Sequence, residues 1–296
     1  MISRILAVLV ALGSASSAAQ GHRPIAQIYT YSTIAYPGAT TTNAYGINKS
    51  GEIVGYWTIP YQSIGGFLDI DGAFQLIQYT STSSTYANGI NNLGQVVGDF
   101  DNSVCANAQE MCAYVYTDGA FEILDFPGSE STTASGINDT GQVVGVYFNG
   151  SNNGYLYQSG AYKTLNFPGA KSSYLTGIND SGEIVGYYDN VYNSSSSLGG
   201  SFVYSGGKWT EINIPGGGLA TGINGAGQVT GIYYGRDGNY HGFVETNGSF
   251  AFLNFPGATT TWALGISDNG QVVGFYSGSG CTQNQGCSFL ATPVKQ

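Results

Sequence analysis

Short apolar runs separated by glycine-containing turns recur along the chain in a unit that holds four such runs. The first run reads Gly-Ile-Asn, or once Gly-Ile-Ser, and successive copies start 41 to 47 residues apart. The six copies begin at Gly46, Gly89, Gly136, Gly177, Gly222 and Gly265. A period of this length indicates a repeat architecture in which each unit packs against its neighbours.

The runs within one unit have the composition and spacing of β-strands. In the third unit the second run is Gln142–Gly145, the third is Gly154–Leu156 and the fourth is Tyr162–Gly169. An Asn-x-x-Gly turn joins the first two runs, and a two-residue turn such as Ser159-Gly160 joins the last two. Both turns favour hairpins, because they place glycine where positive φ is needed. Each unit is therefore predicted to be a four-stranded antiparallel blade of a β-propeller.

The two ends of the repeat region predict how the blades close into a ring. The sixth unit stops after its third run, Phe289–Ala291, whereas Tyr31–Gly38 near the N-terminus fits the pattern of a fourth run. Pairing these two segments removes an exposed sheet edge. We therefore expect an all-β fold, a single six-bladed β-propeller over residues 27–293, whose sixth blade is completed by the N-terminal strand.

The first residues have the features of an export signal. Arg4 precedes the apolar run Ile5–Leu12, and a stretch of small residues ends at Ala19. The run is too short to cross a bilayer, which takes about 20 residues. We expect a signal peptide over residues 1–19, an N-terminal tail over 20–26 and a C-terminal tail over 294–296. The protein is then secreted, to the extracellular space or the periplasm, without membrane insertion.

Composition and charge exclude several classes of function. The chain carries 8 basic and 18 acidic residues for a net charge of −10, so it lacks the cations that neutralise a run of phosphates. Aromatic residues make up 14 % of the chain, which is too much apolar surface for a disordered protein. We expect a monomer that has no nucleic-acid partner.

The two ends of the predicted propeller differ in their loops. The hairpin face carries the short turns within each blade, which are nearly identical in all six copies. The wide-loop face carries the loops between the second and third strands and the connections from one blade to the next, which vary in length and content. Variable loops on a repeated scaffold are typical of recognition surfaces.

The wide-loop face combines aromatic and uncharged polar residues, a combination that suits sugar rings. The candidate ligand-binding aromatics are Trp57, Tyr61, Tyr192, Tyr234 and Trp262. Trp57 belongs to a set of aromatics that follow each Val-Gly run, for which packing between blades is the alternative interpretation: Trp57, Phe100, Tyr147, Tyr188, Tyr233 and Tyr276. Tyr61, Tyr192 and Tyr234 lie off the repeat pattern and are expected to be exposed.

One loop mixes a cation, a carboxylate and a histidine. Arg236, Asp237 and His241 lie within six residues of each other and can orient an acid, a base or a polar ligand. An exposed loop that contains a turn is the alternative. No cofactor is expected. The segments Asp99–Asn102 and Asp189-Asn190 offer oxygens for calcium, yet neither supplies the ligand spacing of a known calcium loop.

The four cysteines fall in equivalent loops of the second and sixth units. Three pairings are possible. Export and the separation of these two blades favour the local bonds Cys105–Cys112 and Cys281–Cys287. A redox-catalytic role is the alternative.

The repeat Gly-Ile-Asn-x-x-Gly-Gln-Val-Val-Gly, followed by His-Gly-Phe and Phe-x-x-Leu-x-Phe-Pro-Gly-Ala, resembles the HAF-type extracellular repeat proteins of bacteria. The resemblance covers roughly residues 28–293 and keeps its order in six copies. His-x-Phe itself occurs once, at His241–Phe243. The resemblance implies export and a propeller-like fold, and it implies no activity.

Three functions are compatible with these patterns. The first is a secreted, non-enzymatic binding propeller that engages a glycan or a cell-surface or matrix partner. The second is a structural or adhesive extracellular protein without a small ligand. The third is an exported carbohydrate-active hydrolase or lyase, which needs a pair of carboxylates. The candidates for that pair are Asp99, Asp101, Glu110, Asp189 and Asp237.

Overall fold

Every strand of the repeat unit is present, and the strands assemble into six four-stranded antiparallel sheets. The structure is a computed structural model that describes residues 28–59, 63–79, 84–101, 111–190, 198–279, 281 and 287–294. These residues form strands and no helix. The predicted six-bladed propeller is confirmed. The predicted signal peptide and N-terminal tail lie outside the described residues.

The strands follow the chain blade by blade. The first strand is Tyr29–Ile34 (β1). Blade one holds Thr41–Ile47 (β2), Ile53–Ile59 (β3), Ser63–Ile70 (β4) and Ala73–Ile77 (β5). Blade two holds Thr85–Ile90 (β6), Val96–Phe100 (β7), Cys112–Thr117 (β8) and Ala120–Leu124 (β9). Blade three holds Ser131–Ile137 (β10), Val143–Phe148 (β11), Asn152–Gln158 (β12) and Ala161–Thr164 (β13).

The second half repeats the same order. Blade four holds Ser172–Ile178 (β14), Ile184–Asp189 (β15), Leu198–Ser205 (β16) and Lys208–Ile212 (β17). Blade five holds Gly218–Ile223 (β18), Val229–Tyr234 (β19), Tyr240–Thr246 (β20) and Ser249–Leu253 (β21). Blade six holds Ala258–Ile266 (β22), Val272–Gly278 (β23) and Cys287–Pro293 (β24). The first strand of each blade is innermost, because these six strands line the central channel.

The ring closes as the sequence predicts. Strand β1 pairs with β24 in antiparallel register, from Tyr29 opposite Pro293 to Ile34 opposite Ser288. The sixth sheet therefore has the order β1-β24-β23-β22, with its outermost strand taken from the N-terminal end of the chain. This pairing covers the edge that β24 would otherwise expose.

The turns within the blades have the predicted geometry. Asp118 and Gly119, between β8 and β9, have φ of 50° and 90°, and the equivalent pairs in blades one, three, four and five also have two positive φ values. Two successive positive φ values define a type I′ turn, whose twist matches that of the flanking strands. The short turns therefore fix the register of each blade locally.

Neighbouring blades approach closely at the glycine of each Gly-Ile pair. A Cβ placed on Gly136 would lie 3.2 Å from the Cα atom of Gly177 in blade four. Equivalent contacts link each such glycine to the next around the channel, and Gly265 closes the circle against Gly46. Any side chain at these positions would push two innermost strands apart, so glycine at this place in the repeat is a packing requirement.

An asparagine in each of the first five blades ties its own turn to the next blade. We call this set the asparagine ring: Asn48, Asn91, Asn138, Asn179 and Asn224. The Oδ1 atom of Asn138 accepts hydrogen bonds from the backbone N–H groups of Thr140 and Gln142, at 3.2 and 3.0 Å. Its Nδ2 atom donates to Gln142 Oε1 at 2.8 Å and to the backbone carbonyl of Asn179 in blade four at 3.0 Å.

The other ring members repeat this bond to the next blade, at 3.0 to 3.1 Å. All five side chains are buried, with exposed fractions of 2 to 4 %. Blade six carries Ser267 instead, whose hydroxyl accepts a bond from the N–H of Gln271 within its own turn. Between blades six and one, Asn269 Nδ2 donates instead to the backbone carbonyl of Lys49, at 2.6 Å.

Aromatic stacking joins five of the six blades to the connection that enters them. Phe126, which follows β9, stacks on Tyr147 of blade three with ring centroids 3.7 Å apart. Four further pairs repeat this stack: Tyr36–Trp57, Tyr79–Phe100, Phe167–Tyr188 and Phe255–Tyr276. In blade five Ile214 takes the place of the connecting aromatic, and Tyr233 contacts Phe252 and His241 instead. Packing against the incoming connection therefore accounts for five of the six aromatics that follow the Val-Gly runs, and Tyr233 packs within its own blade.

The predicted disulfide in the sixth unit is present. Cys281 and Cys287 are joined by an S–S bond, with Cα atoms 5.6 Å apart. Cys112 is also disulfide-bonded, and its predicted partner Cys105 lies outside the described residues. A search of the described residues for helices that could cross a membrane found none.

Replacing Ser267 by Asn is expected to stabilise the propeller. The new side chain can donate to the backbone carbonyl of Asn48 and so complete the asparagine ring. We expect the free energy of unfolding to rise by about 1 kcal/mol, a typical net value for one added hydrogen bond. Chemical denaturation measures this change. Asn224→Ser is the matched control, since it removes one link and should lower stability. A Ser267→Asn variant that is less stable than wild type would contradict the expected hydrogen bond to the carbonyl of Asn48.

Candidate functional site

The central channel is divided into two chambers by a ring of isoleucines. Ile47, Ile90, Ile137, Ile178, Ile223 and Ile266 follow the six close-packed glycines, and each is less than one-tenth exposed. Both chambers are lined by this ring. The chamber towards the hairpin face has a volume of about 60 Å³, and the chamber towards the wide-loop face has about 350 Å³. We call the larger one the channel chamber.

A β-bulge in each innermost strand points one residue into the channel chamber. The register against the second strand shifts between Ala87 and Gly89 in blade two, and at the same place in every other blade. A bulge of this kind changes the direction in which a side chain points. The six bulge residues all line the chamber: Tyr45, Asn88, Ser135, Thr176, Thr221 and Leu264.

Asp99 is the acidic residue in the wall of the channel chamber. It lies on β7 opposite Tyr86 and is 5 % exposed. The equivalent positions of the other blades hold Tyr56, Val146, Tyr187, Ile232 and Phe275. Its Oδ1 atom accepts a hydrogen bond of 2.7 Å from Asn88 Nδ2, which also donates to the backbone carbonyl of Ala134 in blade three at 3.0 Å.

Burial changes the acidity of this carboxyl group. Removal from water raises the pKa of Asp99 to about 7, and the hydrogen bond from Asn88 opposes that rise. Within the described residues, Asn88 is the one hydrogen-bond donor to the carboxyl. A carboxylate in this setting is costly to the fold. Acidic side chains that lie in cavities and have a shifted pKa are typical of functional sites.

Tyrosine rings flank Asp99 on the side of blade one. Tyr86 lies directly across from it on β6, and the ring centroids of Tyr86 and Tyr56 are 5.0 Å apart in an edge-to-face arrangement. Tyr56 in turn contacts Tyr45 at 5.5 Å. A continuous row of three rings therefore runs from the carboxyl group to the bulge residue of blade one.

A second aromatic group is exposed on the wide-loop face. Tyr234 and Tyr240 flank the loop between β19 and β20 and are 52 % and 40 % exposed. Their ring centroids are 5.3 Å apart, and Tyr240 contacts Trp262 of blade six at 5.0 Å. Trp262 stacks on Phe275 at 5.1 Å. We call Tyr234, Tyr240, Trp262 and Phe275 the aromatic shelf.

The loop beside the shelf holds the predicted cluster of charged residues. His241 Nε2 lies 2.9 Å from Asp237 Oδ1, and His241 Nδ1 lies 2.6 Å from Asn254 Oδ1. The hydrogen bond from His241 lowers the pKa of Asp237 to about 2. The side chain of Asp237 is half-exposed and that of Arg236 is exposed. Both ring nitrogens of His241 are therefore engaged in holding the loop.

The sequence-predicted residues fall into three groups. Tyr234 is exposed as expected, and Trp262 joins it in the aromatic shelf. Trp57 stacks on Tyr36 between blades. Tyr61 and Tyr192 lie outside the described residues. Sequence reasoning missed the channel chamber, although aligning the six repeats shows Asp99 at a place that is otherwise tyrosine, phenylalanine or aliphatic.

The acidic residues considered for calcium or hydrolysis have different surroundings in the fold. Asp99 faces the channel chamber, whereas Asp101 Oδ1 accepts a bond from the N–H of Ser84 and Asp189 lies on β15 opposite Ser172. Among the described residues, no three His, Cys, Asp or Glu side chains are grouped so that they can hold a metal ion. Glu110 lies outside the described part of the chain.

Comparison with known proteins identifies solved structures that have a similar fold. No family model and no curated protein matches the chain. Among solved structures it is similar to a gluconolactonase from Xanthomonas campestris, with 13 % identity, a TM-score of 0.56 and 90 % of each chain covered. It is also similar to the β-propeller domain of the Trilobed protease from Pyrococcus furiosus, with 13 % identity, a TM-score of 0.54, and 86 % of this chain and 82 % of that one covered.

A third similar structure is an acylaminoacyl peptidase from Pyrococcus horikoshii, with 14 % identity and a TM-score of 0.50. The match covers 78 % of this chain and 41 % of that one. The Pyrococcus furiosus domain is described as having an open velcro topology, whereas β1 and β24 pair in the present chain. At these identities the likeness shows a shared propeller fold.

Asp99→Asn is expected to stabilise the protein at neutral and alkaline pH. The carboxyl pKa is 3.8 in the reference state and about 7 in the fold, so the folded protein binds more protons between these values. Its free energy of unfolding therefore falls as pH rises through that window. The gain from Asp99→Asn should grow from near zero at about pH 4 to on the order of 4 kcal/mol at about pH 8.

Denaturant unfolding across this pH range measures the effect. Glu122→Gln, which removes an exposed carboxyl from β9, is the matched control and should show no such growth with pH. A pH-independent effect of Asp99→Asn would mean that the carboxyl group is not desolvated in the fold.

Proposed function

We propose that the protein is an exported, non-enzymatic binding propeller that engages a glycan on a cell surface or in the extracellular matrix. The observation that supports this proposal is the aromatic shelf on the wide-loop face. Tyr234 and Tyr240 expose large fractions of their rings, while Trp262 and Phe275 anchor them to blade six. Exposed rings that are held by packed neighbours offer binding area at a small entropic cost.

The chemistry beside the shelf suits a hydroxylated ligand. The C–H face of a sugar ring packs against an aromatic face, and its hydroxyl groups need polar partners nearby. Asp237, Asn239 and the exposed Arg236 lie in the loop between Tyr234 and Tyr240. Asp237 Oδ2 accepts a bond of 3.2 Å from Asn239 Nδ2, so the polar groups of the loop are ordered next to the rings.

Two further observations support export. The disulfide Cys281–Cys287 is of a kind that persists in oxidising compartments. The N-terminal residues have the charge and apolar pattern of a cleaved signal. We further propose membership of the HAF-type extracellular repeat proteins, which rests on the six ordered repeats.

The proposal is tested by probing a glycan array with the purified mature protein. Wild type should bind a subset of glycans, and the double variant Tyr234→Ala, Tyr240→Ala should lose at least about tenfold in affinity, which corresponds to 1.4 kcal/mol of lost stacking. Its melting temperature should stay close to the wild-type value, because both rings lie at the surface and outside the buried core. The affinity is measured by titration with the best array ligand.

Phe252→Ala is the matched control for loss of an exposed ring. Phe252 is 39 % exposed and lies on the outermost strand of the same blade, where its ring contacts Tyr233 and not a ring of the shelf. This variant should bind as wild type does. An array that stays blank for wild type would contradict glycan binding and favour a purely structural or adhesive role.

A further inference from the structure

We propose that the channel chamber is a second binding site, for a small organic cation, in which Asp99 is the counter-ion and tyrosine rings flank the cationic group. The ligand class is a protonated amine or a quaternary ammonium compound. This site is separate from the aromatic shelf, and the proposal does not depend on glycan binding.

The chamber has the size and shape of a small-molecule site. Its volume is about 350 Å³, and the isoleucine ring closes its inner end. Pockets for small ligands have volumes of about 300 to 1,000 Å³. The wall is built from the six innermost strands together with Asp99 on β7, so the chamber is a preformed part of the propeller scaffold.

The three threonines of the chamber wall present hydrogen-bond acceptors to the chamber. Thr176 donates its hydroxyl proton to the backbone carbonyl of Ala220 at 3.0 Å, and Thr221 donates to that of Ala263 at 2.8 Å. Thr133 donates to the carbonyl of Val146 at 3.3 Å. Since these protons are used on the backbone, the hydroxyl oxygens offer lone pairs to the chamber, as the carboxylate does. A lining of this kind favours a ligand that donates hydrogen bonds or carries positive charge.

Asp99 lacks a counter-ion within the described residues. Its contacts there are one amide donor and the neighbouring tyrosines, and no described lysine or arginine forms an ion pair with it. A buried carboxylate without a cation is destabilising, and a ligand that supplies the cation recovers that cost. The other five blades place tyrosine, phenylalanine or an aliphatic residue here, so the fold itself does not require an acid.

The tyrosine row indicates an organic cation. Tyr86 lies opposite Asp99 in the strand register, and Tyr45 lines the chamber itself. Aromatic faces attract ammonium groups, most strongly in sites that exclude water. A metal ion such as calcium takes six to eight oxygen ligands, which one carboxylate and scattered hydroxyls do not supply.

Tyrosines are the titratable groups that surround Asp99. Tyr45 on β2, Tyr86 on β6, Tyr114 on β8 and Tyr155 on β12 all interact with it electrostatically, and burial raises the pKa of each. They stay protonated and neutral across the physiological range. Asp99 is therefore the group whose ionisation controls cation binding between about pH 6 and pH 8.

Calorimetric titration of the mature protein with choline and with butylammonium tests the proposal. At about pH 8 at least one of these probes should bind, and its affinity should fall about tenfold by about pH 6, because protonation removes the charge of Asp99. The uncharged isosteres 3,3-dimethyl-1-butanol and 1-butanol should bind at least about tenfold more weakly than the cations do at about pH 8, since they lack the charge that the carboxylate attracts, and their affinity should not fall at about pH 6.

Two variants separate this site from the shelf. Asp99→Asn keeps the shape of the side chain and should abolish both cation binding and its pH dependence, while glycan binding stays unchanged. The double variant Tyr234→Ala, Tyr240→Ala should bind the cation as wild type does. The proposal is overturned if neither probe binds wild type, if Asp99→Asn binds equally well, or if the neutral isosteres match the cations.

Discussion

The close approach of the six innermost strands is the constraint on which the molecule depends. Glycine meets glycine across every blade boundary, and a buried asparagine amide reaches the next blade at five of the six boundaries. Because the hydrogen bond and the backbone contact occur side by side, the distance and the angle between blades are fixed together. The aromatic stacks then fill the wider space farther from the axis, where the blades diverge.

This arrangement explains why the fold can be predicted from the sequence. The turns need positive φ, the blade boundaries need glycine, and the asparagine ring needs one side chain that fits an amide donor and an amide acceptor. Each requirement recurs in at least five of the six units, so the repeat, its strands and the closure by β1 could all be predicted. The one irregular link, at Ser267, is visible as Gly-Ile-Ser in place of Gly-Ile-Asn.

The candidate sites were less predictable, for physical reasons. A bulge residue such as Asn88 reaches the channel through a local register shift that strand alternation does not reveal. Asp99 and Asn88 are separated by a turn, and only the pairing of β6 with β7 brings the amide to the carboxyl group. The aromatic shelf was predicted in part, since Tyr234 and Trp262 were named, whereas the contact through Tyr240 depends on how blades five and six pack.

The isoleucine ring affects how a solute can move along the central channel. Six aliphatic side chains line both chambers where these adjoin, so a solute at that boundary meets apolar side chains. A ligand of the channel chamber is therefore expected to enter and leave at the wide-loop face. A ligand bound beside the isoleucine ring can then be retained by a larger molecule that binds over the entrance of the chamber.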